Sequence, residues 1–269
     1  MPFLKMKDGA ELYYEVYGEG EPIIFLNGIM TSTLSWAGLI PAVSKKFKLI
    51  LFDFRDQGNS SKMKEPYELD IHVGDLINLI DRLHISKIHL MGLSYGGLVA
   101  LKFALLHQNR LNSLILPNTI SFITNHLQEI GKAWETAAEL NDGEKFLQLA
   151  RPFIYSGTFY QKHMDLIRKY QEMLKTILTK EWFEAFMRLS RSTRNYYISP
   201  EELKKINTPT LLIGGEYDII APIKEMMTIY ENINGCEFIT IPQAGHGAYL
   251  EKTNEFITIV MGFISKYSG

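Results

Sequence analysis

Three residues of this chain have the types and settings needed for nucleophilic chemistry at a carbonyl carbon: Ser94, Asp218 and His246. In Gly92-Leu93-Ser94-Tyr95-Gly96 an apolar run, Ile88 to Leu93, ends at a serine with a glycine two residues away on each side. A stretch with helical character, Leu98 to His107, follows. This G-x-S-x-G spacing is that of a nucleophile elbow, a sharp strand-to-helix turn that lifts a serine hydroxyl out of a sheet. Glycine flanks suit it because the crowded turn leaves no room for a Cβ. The bare pattern arises by chance in roughly one chain in ten of this length, so the residues elsewhere must decide. A serine hydroxyl is a weak nucleophile at neutral pH and needs a base, and the base needs an orienting acid. Asp218, at the end of Gly214-Gly215-Glu216-Tyr217-Asp218, and His246, in Gly245-His246-Gly247, each follow a short strand-like run. The order Ser, Asp, His belongs with this elbow. Their alternative readings are a helix N-terminal acid and a turn histidine. Of the other histidines, His72, His84, His107, His126 and His163 fall in helical or connecting stretches and read as surface residues, and His89 as structural.

The elements that must position these residues are legible in sequence. Glu11 to Tyr17 alternates polar and apolar residues as a strand does, and Ile23 to Leu26 is a wholly apolar run, as in a strand buried on both faces. A helix is expected from Trp36 to Ser44, a buried strand over Lys48 to Asp53, and a helix over Asp70 to Leu83 with an apolar face. The elbow strand, a helix, and a strand at Leu111 to Pro117 come next. After the capping box Ser199-Pro200-Glu201-Glu202 there is a buried strand at Thr210 to Ile213, then a helix after Pro222. A last buried strand at Glu237 to Ile241 and a helix over Glu251 to Lys266 close the chain. This alternation predicts an α/β protein with a mostly parallel, doubly wound sheet. In such sheets functional groups gather beyond the carboxyl ends of the strands, where Ser94, Asp218 and His246 all fall.

Between Thr119 and Ser199 the rhythm breaks and helical patterns dominate. The expected organisation is a core of residues 1–118 and 200–269 with a helical cap inserted at 119–199. Its many large side chains, Trp134, Phe153, Tyr155, Phe159, Trp182, Phe183 and Phe186 among them, read mostly as the insertion's own core. Together they suggest a lid lined for an apolar substrate, with Met30, Trp134 and Tyr155 as substrate-binding residues.

Composition narrows the classes. The chain has 269 residues, is 46% hydrophobic and carries a formal charge of −2, leaving no basic field for nucleic acid. No apolar run reaches the 18 or so residues of a membrane span. Charges at Lys5, Lys7 and Asp8 stand where a signal peptide would have its apolar core. The single cysteine, Cys236, excludes an internal disulfide and fits a cytoplasmic location. It reads as structural, with a glycine before it and a buried strand after it. No cluster has metal-ligand spacing, so neither metal nor cofactor is expected.

Four separated stretches carry a resemblance over essentially the whole chain: Leu26-Asn27-Gly28, Asp53 to Ser60, Gly92 to Gly96, and the pair Gly214 to Asp218 and Ala244 to His246. With them the sequence resembles an α/β-hydrolase fold protein with a helical cap. The resemblance implies Ser94 as nucleophile, His246 as base, Asp218 as its orienting acid, and an oxyanion hole from the backbone N–H groups of Ile29 and Tyr95. Phe54 to Ser60 then reads as a structural loop in which Arg55 and Asp56 brace one another. The chain departs from the common His-Gly before the oxyanion donor: Asn27-Gly28-Ile29-Met30, with Trp36 soon after, is similar to the branch of acyltransferases that make the lipid precursor of rhamnolipids. That similarity implies an acyl carrier protein as partner. Asn27 itself reads as a loop hydrogen-bonder.

The leading expectation is a serine hydrolase acting on an ester, thioester or related acyl substrate. Transfer of the acyl group to an alcohol or hydroxyacyl acceptor is the alternative, and a non-enzymatic ligand receptor the third reading. A nucleophilic aspartate would have suggested epoxide or haloalkane cleavage, and Ser94 argues against both.

Overall fold

The computed structural model describes residues 3–268. Its strands are β1 Phe3–Lys5, β2 Glu11–Tyr17, β3 Glu21–Leu26, β4 Phe47–Phe52, β5 Ile88–Gly92, β6 Leu111–Pro117, β7 Thr210–Gly215 and β8 Glu237–Ile241. They form one sheet in the order β1-β2-β4-β3-β5-β6-β7-β8. β2 is antiparallel to both β1 and β4, and every other pairing is parallel. The helices in chain order are α1 Ile40–Val43, α2 Asp70–Arg82, α3 Tyr95–His107, α4 Asn125–Glu139, α5 Gly143–Ala150, α6 Gly157–Lys175, α7 Lys180–Arg191, α8 Pro200–Leu203, α9 Ile223–Asn232, α10 Ala248–Glu251 and α11 Thr253–Ser265.

The unbroken apolar runs have a simple cause. In β3, Ile23 and Phe25 enter one core while Ile24 and Leu26 enter the other, and all four are fully buried. Helices α2, α3 and α9 close the first core, and α1 and α11 the second, giving the doubly wound arrangement expected of buried parallel strands. β5 lies inside the sheet between β3 and β6, so the elbow at its carboxyl end is held from both sides.

Three local expectations change. The helix expected from Trp36 to Ser44 is a short 3₁₀ turn, Thr33–Trp36, followed by the four residues of α1. Pro41 lacks an N–H and suits only the first turn of a helix, so α1 starts beside it. β8 is the last strand of the sheet, and Ile239 and Thr240 on it are exposed, where a buried strand is expected. His72 is fully buried in α2, where a surface residue is expected. It occupies the apolar face with Leu69, Val73 and Leu76, a position that helical spacing alone could have identified.

His72 sits against the rings of Phe54, Tyr67 and Tyr95, and neither ring nitrogen has a hydrogen-bond partner among the described residues. Burial, with the nearby Arg55 charge, pushes its pKa down from 6.5 to about 3. Above 6.5 the imidazole is neutral whether the chain is folded or not. Below it the unfolded chain takes up a proton that the folded chain refuses, so stability falls as pH drops from 6.5 toward 3, by about 1.4 kcal/mol per unit. His72→Leu should therefore flatten the loss of urea midpoint between pH 7 and pH 4. Parallel curves for the two proteins would refute this.

Between β6 and β7 the chain runs through α4 to α7. Phe146, Trp182, Phe183 and Phe186 pack together there, with Trp182 and Phe186 stacked at 5.5 Å. The two ends of the segment lie side by side: the Ile198 N–H donates to Ser121 O at 2.8 Å and the Ile123 N–H to Tyr196 O at 3.2 Å. After it, Ser199 Oγ accepts from the Glu202 N–H at 3.2 Å while Glu202 Oε2 accepts from the Ser199 N–H at 2.9 Å. That is the reciprocal capping box expected at α8.

Candidate active site

At the end of β5 the chain turns into α3 within two residues, Leu93 and Ser94. Ser94 takes φ 51° and ψ −110°, a conformation that costs a non-glycine residue energy and persists only where its surroundings enforce it. The enforcement is visible. The Ser94 N–H donates to Pro117 O at 3.0 Å, and Thr119 Oγ1 donates to Ser94 O at 2.9 Å. The flanking glycines are steric necessities: a Cβ at Gly92 would stand 2.3 Å from Gly96 O, and one at Gly96 would stand 2.7 Å from Leu26 O.

Ser94 Oγ lies 2.8 Å from His246 Nε2, and His246 Nδ1 lies 2.8 Å from Asp218 Oδ2. A carboxylate only accepts, so Nδ1 carries the proton and Nε2 is left to accept from the serine hydroxyl. Asp218 follows β7 and has its side chain out of solvent. Its Oδ1 accepts from the Ile220 and Ala221 N–H groups at 2.8 and 2.9 Å, and its Oδ2 also from Asn118 Nδ2 at 2.8 Å. Burial is the largest influence on this carboxyl and pushes its pKa up. The charge and hydrogen bond of His246, the Ala221 N–H and the Asn118 amide together outweigh burial and hold it below the ordinary value. The carboxylate form is thus the one built into the fold. Asn118 has no counterpart in the motif reading. It is the first residue beyond the carboxyl end of β6, fully buried at φ 50°, and its place at a strand end was the available signal.

The loop after β3 is braced from below. Asn27 is fully buried; its Nδ2 donates to Phe52 O at 3.0 Å and Asp53 Oδ1 at 3.1 Å, and its Oδ1 accepts from Trp36 Nε1 at 2.7 Å. Gln57 Nε2 donates to Gly28 O at 2.8 Å. The expected loop hydrogen bonding of Asn27 thus reaches across to β4 and Trp36. The backbone N–H groups of Ile29 and Tyr95 have no acceptor among the described residues. Tyr95 is also the first residue of α3, where a helix offers unpaired N–H groups and the positive end of its dipole.

Arg55 and Asp56 do not brace one another. Arg55 grips Asp75 in α2 through Nε at 2.7 Å and Nη2 at 2.8 Å and also bonds Asp8. Asp56 receives Arg188 of α7 through two bonds, 2.8 and 3.0 Å long. The loop therefore faces two ways, with one ion pair to α2 and one to α7. Tyr95 Oη lies 2.9 Å from Ser192 Oγ, a further tie of the same kind. Met30 and Trp134 fall in one apolar cluster with Ile29, Phe153 and Ile220, so the loop after β3, the segment after Asp218 and helix α4 share an apolar face. Tyr155 is elsewhere: its ring packs against Gly247, beside His246.

Among the described residues no group of three or more His, Cys, Asp or Glu side chains could hold a metal ion, and no helix is long and apolar enough to cross a membrane. Cys236 is half-buried, and burial pushes its thiol up to about 12, far from the thiolate that reactivity requires.

A family model described as alpha/beta hydrolase fold matches residues 21–253. The chain is 25% identical to 3-oxoadipate enol-lactonase 1 of Acinetobacter baylyi, over 96% of this chain and 94% of that protein. Among solved structures, an alpha/beta hydrolase enzyme from a Medee basin deep-sea metagenome library matches with a TM-score of 0.95 and 32% identity, over 98% of this chain and 97% of that one. A thermophilic esterase from Thermogutta terrifontis matches with a TM-score of 0.85 and 25% identity, over the full length of both.

Proposed function

The chain belongs to the alpha/beta hydrolase fold family, and within it we propose that it is a serine hydrolase that cleaves an ester, thioester or related acyl substrate through an acyl-enzyme. The observation that carries this reading is the continuous hydrogen-bonded chain from Ser94 Oγ through His246 to an ionised Asp218. As the substrate carbonyl carbon meets Ser94 Oγ, His246 Nε2 takes the hydroxyl proton. Asp218 stabilises the imidazolium and keeps its Nδ1–H pointed away from the serine. The negative charge that develops on the carbonyl oxygen is met by the free N–H groups of Ile29 and Tyr95, an arrangement worth several kcal/mol of barrier. Collapse expels the leaving group, which receives the proton from His246. A water molecule then repeats the sequence on the acyl-enzyme and returns Ser94 to its hydroxyl form.

We assign residues 119–199 as a cap over this site, with Met30 and Trp134 on the apolar face that receives the acyl part. The enol-lactonase and esterase names of the relatives support carboxylic ester chemistry. The acyl-transfer alternative draws on the Asn27-to-Met30 variant and the apolar cap; the bonds of Asn27 to Asp53 and Trp36 give that one residue a structural task that needs no acceptor or acyl carrier protein. Water is the acceptor in this reading. Incubation with a fluorophosphonate probe and mass mapping should locate one label, on Ser94. A folded protein that stays unlabelled there would overturn the assignment.

A further inference from the structure

The loop that carries His246 is held by the inserted helices as much as by the sheet. Glu251, in α10, accepts at Oε1 from the Gly245 N–H and from the Ser156 N–H, both at 3.1 Å. Its Oε2 accepts from Ser156 Oγ at 2.5 Å. Ser156 is in turn the N-cap of α6, its Oγ accepting from the Phe159 N–H at 3.1 Å. Three more contacts run the same way. The Gly247 N–H donates to Ile154 O at 2.9 Å. A Cβ at Gly245 would stand 2.7 Å from Ser156 N, and one at Gly247 would stand 2.8 Å from Tyr155 Cε1. Both glycines flanking His246 are therefore pressed against the segment Ile154 to Ser156.

We infer that Glu251 is a positioning residue for the base: it ties Gly245, and through it His246, to the N-terminus of cap helix α6. The inference rests on the reading of His246 as base. Its physical ground is that one carboxylate collects donors from both partners of the contact. When Ser156 moves with α6, Gly245 is drawn with it or Glu251 loses a partner. A base held by this clamp meets Ser94 only when the cap segment is seated, and a displacement of about 1 Å at such a site costs on the order of 100-fold in rate.

The contacts themselves select the variants. Glu251→Ala removes all three acceptor bonds. Glu251→Gln keeps them, because the amide oxygen accepts from both N–H groups and the Ser156 hydroxyl can turn to accept from the amide. Ser156→Ala keeps the backbone bond to Glu251 and loses the hydroxyl's bonds to Glu251 and from the Phe159 N–H, so it loosens the clamp at its α6 end and tests it even where Glu251→Ala does not fold. The expected result on a p-nitrophenyl ester is a fall in kcat of about 10- to 100-fold for Glu251→Ala with KM within about twofold, near-complete recovery in Glu251→Gln, and an intermediate loss in Ser156→Ala. Fluorophosphonate labelling of Ser94 is followed alongside. Folded variants, Ser156→Ala among them, that label and turn over at the wild-type rate would overturn the inference, whereas a wild-type protein that itself fails to label would overturn the hydrolase reading instead.

Discussion

Replacing Ser94 with alanine is expected to lower kcat on p-nitrophenyl esters by about 10⁴- to 10⁶-fold, with the fold and melting temperature essentially unchanged. The size of the effect follows from the division of labour. In the proposed mechanism no acyl-enzyme could form without Oγ, and His246 would be left only to direct water at a carbonyl held by the Ile29 and Tyr95 N–H groups. Stability should survive because His246 Nε2 is the partner of Oγ in this structure, while the strained backbone at Ser94 is held by Pro117 O and Thr119 Oγ1, contacts that alanine leaves in place. An ester turnover rate unchanged from wild type would eliminate Ser94 as nucleophile.

Asp218→Asn should cost about 10⁴-fold in kcat with a modest change in KM. The asparagine oxygen can still accept from the Ile220 and Ala221 N–H groups, which fixes the amide orientation and turns its NH₂ toward His246 and Asn118. That NH₂ then meets the Asn118 Nδ2 donor to donor, and His246 Nδ1 is pushed to accept from it. The proton moves to Nε2, where it points at Ser94 Oγ and disables the base. Steady-state kinetics together with imidazole NMR tautomer assignment test both halves of the claim. A kcat within tenfold of wild type, or retention of the Nδ1–H form, would contradict it. Asp218→Ala differs in kind, since it strips the buried N–H groups of Ile220 and Ala221 and the amide of Asn118 of their acceptor, and it should destabilise the fold as well.

The elbow, the two later loops and the alternation of strand and helix were readable in the chain because each is local. A glycine two residues from a serine, an apolar run of four to six residues, or a capping box such as Ser199 to Glu202 is decided by chain sterics and periodicity within a few residues. The order of Ser94, Asp218 and His246 added one global constraint, and the sheet topology met it. The loss of strand periodicity after Pro117 matches the run of helices α4 to α7 that follows β6.

What lay beyond the sequence is a set of meetings between residues far apart in it. The resemblance implies that Arg55 and Asp56, neighbours in the chain, brace one another. Successive side chains in that loop diverge, however, and the partners are Asp75 in α2 and Arg188 in α7. Likewise, β8 has the composition of an interior strand, yet Ile239 and Thr240 are exposed because it is the last in the sheet. Asn118 and Glu251 carry no motif of their own; an amide and a carboxylate acquire a task only when β7 and the N-terminus of α6 are brought beside them. Chain chemistry alone singles out Ser94, Asp218 and His246 and the strand ends that bear them. Tertiary structure decided their hydrogen-bond partners, because a hydrogen bond is set by separations of about 3 Å in space, and no local pattern encodes which distant segment will supply the other atom.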